Sequence, residues 1–314
     1  MTEYALPIID MSQPDGLPQR LDDACRTHGF FYVVGHGVPA ELRAAAFEMS
    51  KRFFALSDEA KSRWHIEKSG IHRGFDPIGW QKLDPTMPGD IKESFYMGVD
   101  RSPEDPLVKA HVPNQGANQW PDEELVPGFK ATMQAYEAAL NDLGHRLLSV
   151  IAQGLKLPAD YFEAFLKDPT PILRLLHYPE QPPSNKLEPG QIGCGAHTDW
   201  GSVTLLAQDD AGGLQVRAKD GTWFDAPPVP NAFVVNLGDM MQRWTNDAYV
   251  SNFHRVFNPK GRERYSIAYF FDIDYFTEVK ALPGCFDDAN PPRYAPTTAG
   301  QHIIEMYERT RTGY

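Results

Sequence analysis

Two hydrophobic periods divide the chain. In its first half, apolar positions recur every three or four residues, the spacing of one helix face. Leu17, Leu21, Ala24 and Cys25 predict a helix over 17–28, with Gly29 placed to end it. Leu42, Ala45, Ala46, Met49 and Phe53 predict a second, opened by Pro39 and running to about residue 56. The longest stripe is Phe129, Met133, Tyr136, Leu140, Leu143, Leu147 and Ile151, which predicts a long helix over about 127–155 as the spine of the core. Short β-branched and aromatic runs at 5–9, 30–34 and 92–97 read as strands among these helices. Segments 61–90 and 100–121 are rich in Gly, Pro and polar residues and read as loops.

From Ile172 the period shortens to two. Runs at 173–178, 192–197, 202–208, 214–217, 223–225, 232–237, 253–257 and 265–271 are punctuated by Gly, Pro, Asn and Asp. Many short strands at this spacing predict a double-sheet jelly roll or barrel. A short helix at 161–166 and an amphipathic one at 297–311 complete a mixed α/β chain with a mainly β core. No internal repeat or low-complexity tract interrupts it.

Bulk properties narrow the function. The 314 residues suffice for one large domain, or for a catalytic domain with an N-terminal annex. A formal net charge of -12 argues against nucleic acid or an anionic membrane as a partner held by bulk charge. No run of about 20 apolar residues predicts a membrane span, and Met1-Thr2-Glu3-Tyr4 has no signal-peptide character. The three cysteines, Cys25, Cys194 and Cys285, are odd in number and form no close pair, which fits a reducing, cytoplasmic setting.

The candidate chemistry centres on His197-Thr198-Asp199-Trp200-Gly201. A His and an Asp two apart on an extended segment point the same way. His254 is the best third ligand, and two histidines with one carboxylate leave half of a metal's coordination sphere open, as in non-haem Fe(II) sites. Zinc accepts the same donors. Ten residues on, Arg264 and Ser266 share a face and offer a planar fork and a hydroxyl to a carboxylate. His36, between Gly35 and Gly37, reads as a structural turn histidine, and Arg73 as a solvated loop charge.

These motifs resemble the iron- and 2-oxoglutarate-dependent dioxygenases of the isopenicillin N synthase-like branch. The resemblance spans nearly the whole chain. It includes Pro7-Ile8-Ile9-Asp10, Gly29-Phe30-Phe31-Tyr32-Val33-Val34-Gly35-His36-Gly37-Val38, Lys92-Glu93-Ser94-Phe95-Tyr96, Gly212-Gly213-Leu214-Gln215-Val216 and Asn236-Leu237-Gly238-Asp239. It implies a double-stranded β-helix flanked by helices, with an N-terminal region at 1–120 and a catalytic region at 121–314 whose core is about 168–275. It decides for Fe(II) over zinc and implies 2-oxoglutarate as co-substrate and O2 as oxidant. In the family the far carboxylate of 2-oxoglutarate meets residues matching Arg264, Ser266 and Tyr178. Leu176 departs from the Asn that plant relatives often carry there. The implied reaction oxidises a C–H bond of a small molecule, by hydroxylation, desaturation or ring closure, with release of succinate and CO2.

Parity extends the site. Counting by two from Arg264 places Ser266, Ala268, Phe270 and Asp272 on one face, and the resemblance puts Phe270 and Asp272 near the substrate. Arg174 shares the parity of Tyr178; if it faces inward it favours an anionic substrate. Phe95 or Tyr96 is a further candidate contact, Trp244 and Met241 are candidates for the rim, and His177 falls outside. Two alternatives stand beside this reading: an Fe(II) oxidase that does not use 2-oxoglutarate, and a non-catalytic jelly-roll binding protein.

Overall fold

Every residue of the run Phe30-Phe31-Tyr32-Val33 is buried, because the strand that carries it has protein on both faces. Phe31 and Val33 pack towards helices, while Phe30 and Tyr32 pack towards a second sheet. The chain is seen in a computed structural model that describes residues 4–82, 88–183 and 186–310.

In chain order the elements are β1 (Ile8–Asp10), α1 (Leu17–Thr27), β2 (Phe30–Val34), α2 (Ala40–Phe54), α3 (Asp58–Lys61), β3 (Gly74–Asp76), β4 (Glu93–Gly98), α4 (Pro106–Lys109), α5 (Phe129–Gly154) and β5 (Ile172–Tyr178). Then follow β6 (Cys194–His197), β7 (Val203–Gln208), β8 (Leu214–Arg217), β9 (Trp223–Asp225), β10 (Phe233–Leu237), α6 (Asp239–Trp244), β11 (His254–Val256), β12 (Arg264–Phe271), β13 (Glu278–Val279), β14 (Thr297–Thr298) and α7 (Ala299–Thr310). The major sheet has eight strands in the order β1-β2-β10-β7-β12-β5-β4-β3; the minor sheet has four, β6-β11-β8-β9. Only the β1–β2 pair is parallel among the strand ladders of the described residues.

The major sheet separates two apolar layers. On one side its residues pack against α1, α2 and α5; the stripe Phe129, Met133, Tyr136, Leu140, Leu143, Leu147 and Ile151 on α5 is almost wholly excluded from water. The helix lies so close to the sheet that a Cβ on Gly144 would sit 2.6 Å from the Phe271 ring. On the other side, Leu176, Tyr178 and Val234 meet Cys194, Leu214, Val216 and Val256 of the minor sheet. The space between these two sheets is where the polar candidates gather.

The segment 61–90 is not simply loop. It holds two 3-10 turns and β3, a three-residue strand paired with β4. Gly-Phe-Asp carries no alternation long enough to signal a strand. Arg73 is buried rather than solvated: its Nη atoms donate to the carbonyls of Ile71, His72 and Asn114, and burial pushes its pKa down to about 10. The helix expected at 161–166 is a 3-10 turn, Tyr161–Phe165. The C-terminal helix starts at Ala299 because Thr297 and Thr298 pair with β13; residue 311, the expected end of that helix, lies outside the described residues. His36 is structural, as expected: Nδ1 accepts from the Val38 N–H at 3.1 Å and Nε2 bonds the Asn231 carbonyl at 2.9 Å.

Candidate metal and co-substrate site

β6 and β11 are antiparallel neighbours, and their register sets His254 directly opposite His197. The ring centroids are 4.1 Å apart. β6 ends at His197, so Asp199 lies beyond the strand, in a turn that docks on the start of α6 through Asp239 N–H to Asp199 O at 2.8 Å and Met240 N–H to Trp200 O at 3.1 Å. One atom from each of His197, Asp199 and His254 lies within 4.8 Å of the others.

The hydrogen bonds select which atoms remain free. His197 Nδ1 bonds the Gly195 carbonyl at 2.8 Å and His254 Nδ1 the Asn252 carbonyl at 3.5 Å. A carbonyl only accepts, so each Nδ1 carries the proton and each Nε2 keeps its lone pair. Asp199 Oδ2 accepts from Thr204 Oγ1 and Asn236 Nδ2, both at 2.6 Å. Its other oxygen, Oδ1, stands 3.8 Å from both Nε2 atoms. Three lone pairs thus converge with no hydrogen present to link them.

The protonation states suit a cation. Burial pushes the His254 pKa down to about 4, with His197 adding to the effect, and burial also lowers His197. Burial opposes the charge on Asp199, but the two imidazoles, Asn236 and Thr204 outweigh it and hold the carboxyl below its usual range. Two neutral imidazoles and one carboxylate are the forms that ligate a divalent metal. The donor set therefore fits the group that the motifs imply.

On the major-sheet side of the same cavity, Arg264 is fully buried. Nη1 donates to Ser266 Oγ at 2.9 Å and Nη2 to Gln208 Oε1 at 3.0 Å, while Nε has no partner. The guanidinium carbon lies 4.7 Å from the Tyr178 ring centroid. Among the described residues no carboxylate pairs with it. An uncompensated charge in a dry site costs several kcal/mol, on the order of the effective desolvation penalty of one ion. A bound anion would offset that cost.

The second arginine of the cavity differs. Arg174 Nη2 donates to Gln81 Oε1 at 2.7 Å and Ser94 Oγ at 2.9 Å, and Asp76 Oδ2 lies 3.6 Å away. Its guanidinium sits 4.4 Å from the Tyr96 ring centroid, so Tyr96 lies on this side of the sheet beside Arg174. Phe270, Ala268 and Leu176 line the cavity as their parity predicts.

Other candidates lie elsewhere. Phe95 points to the helix-side core against Phe53 and Phe129, one residue out of phase with Tyr96. Trp244 packs between Phe162 and Phe165 in that same core, with Met241 beside it, so neither forms a rim. Asp272 does not line the cavity. Its carboxylate accepts the Ser202 N–H at 2.6 Å, fills the space a side chain on Gly201 would need, and is pushed up to about 6 by burial. His177 lies outside the cavity but not in solvent: it bonds Glu93 at 2.7 Å, and Glu93 also holds Lys61 at 2.6 Å. Sequence reasoning missed Thr204, Asn236 and Gln208. The available signal was a polar residue inside each apolar strand of β7 and β10, at positions the register sets opposite one another, Thr204 and Asn236.

A jelly-roll core with two histidines and a carboxylate around an open face defines a non-haem Fe(II) oxygenase. A family model described as the 2OG-Fe(II) oxygenase superfamily matches residues 169–273, and one described as non-haem dioxygenase in morphine synthesis N-terminal matches residues 6–123. The 2-oxoglutarate-Fe(II) type oxidoreductase hxnY of Emericella nidulans is 37% identical over 322 residues, covering 99% of this chain and 91% of that protein. The 2-oxoglutarate-dependent dioxygenase citB of Monascus ruber is 38% identical over 328 residues, covering 100% and 97%. A full-length Neurospora crassa protein, solved in complex with alpha-KG and thymine, matches with a TM-score of 0.87 at 32% identity, over 98% of this chain and 99% of that one. The chain belongs to the 2-oxoglutarate- and Fe(II)-dependent oxygenases and is an oxidoreductase that uses iron, 2-oxoglutarate and O2.

Proposed function

We propose that His197, Asp199 and His254 hold the iron, that Arg264, Ser266 and Tyr178 hold the far carboxylate of 2-oxoglutarate, and that the enzyme hydroxylates a small organic molecule. The observation that carries this reading is the buried Arg264, lacking a carboxylate partner among the described residues, in one cavity with three converging ligand atoms. A ferrous ion held by these residues would supply the redox chemistry that couples decarboxylation of 2-oxoglutarate to C–H oxidation. The chain's own part is positional. The Nδ1 hydrogen bonds hold the imidazoles as ligands, Arg264 fixes one end of the co-substrate, and Leu206, Leu214 and Val256 keep the walls dry.

The substrate meets Arg174 and Phe270, with Tyr96 backing the arginine. Asp76 already offsets the charge of Arg174. That wall therefore asks for a hydrogen-bond acceptor and does not require an anion. The Neurospora crassa structures hold thymine and 5-formyluracil, rings that offer carbonyl acceptors. The described residues include no helix long and apolar enough to cross a membrane. The three cysteines are free and buried, which supports a reducing compartment such as the cytoplasm.

The test is an anaerobic titration with Fe(II) and 2-oxoglutarate, followed by a screen of small molecules for succinate release in step with product. A visible charge-transfer absorption should develop on adding 2-oxoglutarate, and His197→Ala or Asp199→Ala should abolish it. A wild-type protein that binds iron but develops no such absorption refutes the co-substrate assignment.

A further inference from the structure

His197 owes its tautomer to the Gly195 carbonyl, so whatever fixes Gly195 also fixes the ring. Gly195 has no side chain to anchor it, and a glycine is the least restrained residue of a backbone. Its N–H is donated to Asp90 Oδ1 at 2.9 Å. The other oxygen of Asp90 meets Lys92 Nζ. Both side chains are buried, at 5% and 1% exposure, so this is an ion pair inside the protein and not a surface contact.

Asp90 and Lys92 come from the turn before β4, in the N-terminal third of the chain. That turn is tied to the segment entering β6. Ile91 N–H donates to Ile192 O at 3.0 Å, and Gln191 Nε2 to Gly89 O at 2.9 Å. Asn258, two residues past β11, donates to Ile91 O at 3.0 Å. The turn thus touches the chain next to both histidine-bearing strands.

We propose that Asp90 is a positioning residue for the metal centre, acting through Gly195 on His197, with Lys92 as the counter-charge that lets a carboxylate sit there. A charge-assisted bond to the Gly195 N–H is shorter and stronger than a neutral one. Groups that orient a ligating histidine typically change metal affinity by about 10–100-fold when removed. The inference rests on His197 being a ligand.

The test titrates the metal-free, full-length protein with Co(II) and follows its visible absorption. Asp90→Ala/Lys92→Met removes acceptor and counter-charge together, and should bind Co(II) about 10–100-fold more weakly than wild type. Asp90→Asn/Lys92→Met keeps an amide oxygen for the Gly195 N–H and should stay within a few-fold of wild type. Should the alanine form not fold, Asp90→Leu/Lys92→Met, which keeps the volume, takes its place.

Wild-type Co(II) affinity in the folded alanine or leucine form overturns the proposal, whatever happens to its melting temperature. So does an asparagine form that binds as weakly as the alanine form. The ligand assignment fails separately, if wild type takes up no Co(II) or if His197→Ala binds it unchanged.

Discussion

Asn236 and Thr204 stand opposite each other on β10 and β7, and both donate to a single oxygen, Oδ2 of Asp199. The pair pins the carboxylate so that Oδ1 faces the two imidazoles. Each bond is 2.6 Å long and buried, so neither donor is replaceable by solvent at no cost.

Asn236→Ala frees the carboxylate to turn and leaves Thr204 as its sole anchor among these two. Metal affinity should fall by about 10–100-fold, and Thr204→Val should act in the same direction. A Co(II) titration of each variant, with circular dichroism to confirm the fold, checks this. Unchanged affinity in both would mean that the turn after β6 alone holds Asp199.

Arg264→Lys keeps the charge but loses the fork; Arg264→Met loses both. The lysine form should bind 2-oxoglutarate more weakly, and the methionine form should lose about 2–5 kcal/mol of its affinity. Iron affinity should change little, because Arg264 touches neither imidazole. Anaerobic titration of each variant, first with Fe(II) and then with 2-oxoglutarate, separates the two steps.

Gly144→Ala places a methyl group against the Phe271 ring, with three ring atoms within 2.8 Å. A rigid ring held in the core does not yield as a flexible side-chain tip would. The substitution should destabilise the fold by about 1–3 kcal/mol, read from the urea midpoint.

Glu137 lies part-buried on α5, and burial pushes its pKa up to about 7, with Asp100 adding and Arg73 opposing. Folding therefore favours its protonated form. The fold binds this proton more tightly than the unfolded chain does, so its stabilising contribution is complete at low pH and is lost as pH rises towards 7. Glu137→Gln should gain stability relative to wild type as pH rises from 5 to 8. Paired urea denaturation at several pH values measures that difference.

Much of this site is legible in the sequence because its parts obey local rules. Arg264, Ser266, Ala268 and Phe270 face the cavity because strand alternation is exact over β12. Parity fails where the strand stops. Asp272 lies just past β12 and turns to Ser202, whereas Asp199, just past β6, converges because α6 receives its turn. Phe95 and Trp244 depart from expectation because only the tertiary structure decides which face of β4 or α6 meets the helices. Asp90 and Gln208 have no local signature, since the groups they hold in place come from other strands, and Asn236 shows only as a polar residue inside an apolar strand.

The ladder between β6 and β11 is short and irregular, with only two paired positions and a shift between them. Yet it joins chain segments that are far apart in the polymer. An ion gripped from both sides would act as a removable cross-link, closing a long loop as a disulfide does. Stripping the metal should then loosen this edge of the minor sheet before the rest of the molecule, leaving it the first place a protease can cut.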